Sequence, residues 1–179
     1  SGGGNINVTG AAYIEGGHNG VVTNNAGTGA STISLTGQVV GDSGDAIQAL
    51  TTGTGPIAVT TTNVVTGGAN GIVVDGGGPI SIAAHGAVTG QTQTAIVADG
   101  GASAIDIATY NLVTGHVGGI ATTSTSGATT ITTQNQVFGA TGAGISAASG
   151  SGNIDVATFA LVGGTSGLVT STRGAGVTN

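Results

Sequence analysis

The chain has no cysteine, methionine or tryptophan, two prolines, and a single cation among 179 residues. Each shortage excludes something. Without cysteine there is neither a disulfide framework nor a thiolate metal site. One Lys or Arg in total excludes nucleic acid, because phosphate binding takes several cations. The same lack argues against docking on anionic membrane surfaces. Two Phe and two Tyr cannot fill the core of a conventional two-layer domain. No apolar run is long enough to span a bilayer, and no signal peptide is evident at Ser1. A processed chain or a piece of a longer one is expected.

What is present is glycine, 38 residues of it, with small and β-branched side chains and a net charge of −6. Such a composition suits a disordered linker, but a linker has no reason to space its Val, Ile and Leu evenly. Aligned on a glycine two residues after a β-branched one, the chain repeats at Gly16, Gly41, Gly67, Gly90, Gly115, Gly139 and Gly164. Two residues before each stand Ile14, Val39, Val65, Val88, Val113, Val137 and Val162. Six residues earlier stand Val8, Ile33, Val59, Ile82, Ile107, Ile131 and Val156. A third column follows each glycine: Val21, Ile47, Ile72, Ile96, Ile120, Ile145 and Leu168, each preceded by Gly or Ala. Three columns filled in all seven rows cannot be chance.

Each row reads as three short strands, alternating inward and outward with a period of two. Gly, Asn and Asp mark the corners, where positive φ is expected. One coil cannot bury its own apolar face, so coils must stack. The fold predicted is an all-β parallel β-helix (β-solenoid), a single domain over 1–179, with about seven coils of roughly 25 residues and three strands per coil. At about 4.8 Å per coil this makes a rod about 34 Å long. Six-residue sub-repeats of a left-handed hexapeptide helix are not found, so a right-handed coil is expected.

The pattern Ile-x-Val…Val-Thr-Gly…Gly-Ile-x-x-x-Gly-Gly, clearest from Ile57 to Gly77, resembles the repeats of bacterial exported right-handed parallel β-helix proteins of the autotransporter-passenger kind. The resemblance implies an extracellular or cell-surface location and a structural or adhesive role. Some β-helices are polysaccharide lyases or hydrolases, which need clustered carboxylates together with Arg, Lys or His. Here the one cation is Arg173, so no catalytic residue, cofactor or enzyme activity is expected. Asp75 and Asp99 share an outward column on adjacent coils; they read as solvated turn residues, and as the weak candidate for a metal site. Asp106 and Asp155 share another column, with Thr130 between them. His18, His85 and His116 fall in three different columns and cannot converge on a metal.

His85 and Tyr110 share a corner column, with Phe159 two coils further on. Packing is the expectation, a small sugar-stacking patch the sharper alternative. Asn63, Asn111 and Asn135 suggest an asparagine ladder at a corner. Gly142-Ala-Gly144-Ile-Ser-Ala147 imitates a dinucleotide fingerprint without the helix that should follow, no Gly-x-Ser-x-Gly elbow occurs, and the calcium-binding nonapeptide is absent. Ice binding needs a regular outward Thr face, which the mixed column from Asn7 to Asp155 does not provide. The outward column of strand three contains Val22, Val73, Val97 and Val169, a candidate lateral contact stripe. Ser1-Gly-Gly-Gly-Asn-Ile-Asn-Val resembles Gly150-Ser-Gly-Asn-Ile-Asp-Val, and Gly174–Asn179 reads as the opening of another coil. The expected partners are therefore the same solenoid continued, or other copies stacked end to end or side by side, with surface carbohydrate as a further candidate. The alternative class is a carbohydrate-binding or polysaccharide-degrading β-helix whose site lies outside this segment.

Overall fold

The computed structural model describes residues 3–179, so the Ser1 and Gly2 part of the likeness between coil starts lies outside it. All nineteen elements among the described residues are strands, and every strand pairing is parallel. The chain is a parallel β-solenoid of about seven coils. The first strands of the coils, from Ile6–Gly10 to Ile154–Thr158, form one seven-stranded sheet in coil order. The second strands stack in another column and the third strands in a third, the two joined into one twelve-stranded sheet through Val137–Ser149.

The three aliphatic columns hold in every coil. Ile82, for example, faces Val59 below and Ile107 above, Val88 sits between Val65 and Val113, and Ile96 between Ile72 and Ile120. Alternation decides which side is buried: Ile80–Ala84 carries Ile80, Ile82 and Ala84 inside, with Ser81 exposed. Ile33, Ile82, Ile107 and Ile131 are at most 1% exposed. Full burial of such a side chain contributes about 1.5–3 kcal/mol. Stiff β-branched rotamers suit a column in which each side chain rests on an identical one.

Two expectations need correction. Coils six and seven do not break between strands two and three: Val137–Ser149 and Val162–Thr172 run on as single long strands. They pair on either side of a register shift between Gly139 and Ala143, so the corner there is an irregularity within a strand. Positive φ, moreover, is not what the corners use. Among the described residues no non-glycine residue has it, and of the glycines only Gly101 (φ 52°) and Gly164 (φ 154°) do.

The glycine column serves a different need. After the first six of these glycines the chain folds back, and a carbonyl three or four residues later occupies the place of a side chain; at Gly164 the place is taken by the Gly142 and Gly139 carbonyls of the coil below. A Cβ at Gly67 would lie 1.6 Å from the Asn70 carbonyl oxygen, and at Gly115 1.8 Å from that of Gly118. Because the obstruction is backbone, it cannot move aside. Gly67→Ala should therefore lower stability by about 2 kcal/mol or more through overpacking. Gly17→Ala, with nothing within 4 Å of its Cβ, should change it by less than about 0.5 kcal/mol. Thermal or denaturant unfolding of the two variants checks this; equal effects would show that the column is not steric.

Candidate functional site

Corners between strands two and three differ in length from coil to coil. Between the column glycine and the small residue that opens strand three lie three residues in coils one, three and five, and four in coils two, four and six. The longer corners bulge. In coil two the added residue is Ser43, whose hydroxyl reaches back to donate to the Gly17 carbonyl at 3.0 Å. In coil four it is Thr92, which donates to the Gly68 carbonyl at 2.7 Å. Each bulge is thus pinned to the coil below it.

The last corner residues of coils one to four form a ladder. Asn19 Oδ1 accepts the Asp45 N–H at 2.8 Å. Asp45 Oδ1 accepts both the N–H and the side-chain amide of Asn70, at 3.1 and 2.9 Å. Asn70 Oδ1 in turn accepts the Thr94 N–H at 3.0 Å. This is the asparagine ladder of the molecule, and the sequence reading put it in the wrong column. Asn63, Asn111 and Asn135 each accept the N–H of their own next residue, and Gly86 separates the first two. Residues placed one before the Gly/Ala-Ile pair carried the signal that could have found it: Asn19, Asp45, Asn70 and Thr94 in succession.

Bulges above and below the short corner of coil three leave a recess of about 370 Å³. Ala69 and Asn70 lie in it, with Ser43, Gly44 and Asp45 on one side and Gln93 on the other; His18, Asn19 and Gln48 complete the lining. His18 Nδ1 lies 3.0 Å from Ser43 Oγ. The one Ser43 proton is committed to Gly17, so Nδ1 must be the donor, and neutral His18 keeps Nε2 as an acceptor. Ladder bonds fix the corner side chains without using up their polar capacity. The second carboxylate oxygen of Asp45, the Gln48 and Gln93 amides and one amide hydrogen of Asn70 have no partner among the described residues. Around coil five the equivalent short corner presents Val117, 48% exposed, in place of such groups.

Of the sites expected from sequence, Asp75 and Asp99 are brought together, directly paired on adjacent coils and flanked by Leu50 and Thr123. No group of three or more His, Asp and Glu able to hold a metal occurs among the described residues. His85 and Tyr110 stack, with centroids 4.3 Å apart and planes within 5°. Each therefore covers one face of the other. Phe159, 69% exposed, stays apart, beyond Gln134. The valine stripe is in register, but only its end members are well exposed: Val22 at 54% and Val169 at 43%. Val73 and Val97 are half-buried, having a coil on either side. Arg173 lines a second recess, of about 310 Å³, beside Thr125 and Ser171.

Partial desolvation, and secondarily the Asp99 carboxylate, raise the Asp75 pKa above its ordinary 3.8. A raised carboxyl favours the fold when protonated. Its contribution is fully present below the ordinary value and is lost as pH rises through the folded one. In Asp99→Asn the Asp75 carboxyl, followed by NMR titration, should move back toward 3.8 yet stay above it, because desolvation remains. An unchanged titration would show that the two carboxylates do not interact. Compared with known proteins, the chain matches no protein-family profile, no curated protein and no solved structure.

Proposed function

We propose that this chain is a non-enzymatic structural element: part of an exported bacterial β-helix that serves as a surface stalk, adhesive passenger or filament subunit. The observation that carries this reading is the uniformity of the contact between coils. One packing of three aliphatic columns on three others recurs along the stack, with the strands in one register but for the shift between Gly139 and Ala143. Any further coil, of the same chain or of a second copy, can pair with the outermost one in the same way. The chain itself begins this above coil seven. Thr178 bridges to Ile154, and the Ile154 N–H donates to the Val177 carbonyl at 2.8 Å. Length is then obtained by adding coils, and a sparsely charged surface leaves the outward columns free to vary.

The first coil offers a clean test. Ile6 donates its N–H to Ala30 of coil two at 2.8 Å. Alternation then turns the N–H of Asn7 toward the opposite, open edge. Proline at Asn7 removes a donor from that edge and none from the fold. If copies associate through their edges, electron microscopy and sedimentation should show particles that lengthen with salt, because screening weakens the repulsion between subunits of charge −6. Asn7→Pro should stop growth at single rods of about 34 Å while leaving the circular dichroism unchanged. A wild-type chain that stays monodisperse at high concentration and high salt would overturn assembly through copies, leaving the continuous stalk.

A further inference from the structure

The recess over coil three brings unused polar groups together on a concave surface, and we propose that it binds a neutral, hydroxyl-rich ligand: a sugar ring, free or within a glycan. This goes beyond the structural role proposed above and does not depend on self-association.

The chemistry of the lining selects the class. A sugar hydroxyl both donates and accepts, so it needs a surface offering both. Here the Gln48 and Gln93 carboxamides each supply a carbonyl acceptor and two N–H donors, and Asn70 adds a donor hydrogen. The free oxygen of Asp45 and Nε2 of His18 accept. No Lys or Arg lines the recess, so a phosphate, sulfate or uronate would meet Asp45 without a compensating cation. An apolar ligand would leave the amides and the carboxylate unpaired, at a cost for each.

Size and rigidity agree with this. About 370 Å³ is ample for one ring with part of a neighbour. Part of the lining is held before a ligand arrives: Asp45 and Asn70 are locked in the ladder, and Ser43 is pinned to Gly17. The ordering left to oppose binding is that of the Gln48 and Gln93 side chains. The bulges that form the walls come from the added residues Ser43 and Thr92, so the recess follows from corner length and not from a side-chain rotamer.

The test is a titration of the isotope-labelled chain with glucose, galactose, N-acetylglucosamine, cellotriose and chitotriose, with galacturonate as the charged control, followed by NMR. Shifts should be confined to His18, residues 43–48, 69–70 and 93, and galacturonate should give none. A response to single rings assigns a one-ring site, and a response to the trimers alone assigns a glycan; both support the proposal. Gln48→Ala and Gln93→Ala change side chains at the groove mouth and should leave circular dichroism unchanged. Each should weaken binding about ten-fold, the worth of one good hydrogen bond. Asp45→Asn keeps a ladder acceptor and should bind, whereas Asp45→Ala should not. No shift with any neutral saccharide at tens of millimolar, or shifts that persist unchanged in the Gln48→Ala, Gln93→Ala double variant, would overturn it.

Discussion

The structure depends on backbone pairing between successive coils. Parallel strands must lie about 4.8 Å apart, and in this chain the strand above is always the same segment one coil later. The Ile47 N–H goes to the Gly71 carbonyl, that of Ile72 to Ala95, and that of Ile96 to Gly119, all at 2.8–3.0 Å. Every residue is thereby set on top of its counterpart, so each position becomes a column. An inward column must be filled with side chains that stack on copies of themselves inside a narrow interior. Val, Ile, Ala and Thr do this and large aromatics do not, which is why the aromatics of the chain are few and lie outside. An outward column of charges would repel itself at every step. Low charge is thus a consequence of the fold as much as of its surroundings.

This constraint explains what could be read from the sequence. The columns through Ile82, Val88 and Ile96 were legible because a period of about 25 residues imposes the same choice seven times, and inward or outward facing followed from alternation. The corners were less legible. Glycine after Val88 or Val113 suggests a left-handed turn when one coil is considered alone, but the reason lies in a carbonyl that returns from the next corner residues. Steric exclusion by backbone and a demand for positive φ leave the same residue in the sequence. Fusion of strands two and three in Val137–Ser149 was invisible for a related reason: the Gly139 corner is spelled like the others and differs only in path.

The recess over coil three was missed although its parts were in view. Catalytic and metal sets are legible as carboxylate pairs or histidines within one column, and no other histidine shares the column of His18. The relevant regularity crosses columns. It is the alternation of three- and four-residue corners, which a repeat alignment absorbs as gaps and so hides. Once the gaps are read as bulges, Ser43 and Gln93 become walls and Ala69 a floor. Asp75 and Asp99, by contrast, were legible as neighbours, and they remain a pair with no third ligand among the described residues.

The central claim is that segments one repeat apart lie side by side, in parallel and in register. A chain without cysteine allows a direct measurement. Ser81 pairs with Asp106, and Asp106 with Thr130, all on the outward side of strand one. Cysteines at 81 and 106 would stand about 4.8 Å apart, within the 4.4–6.8 Å span a disulfide bridges. Those at 81 and 130 would be about 9.6 Å apart, too far to bridge. Mild oxidation should therefore close the first pair within the monomer and leave the second reduced. Closure of the 81–130 pair, or failure of the 81–106 pair in a folded chain, would contradict the stacked register.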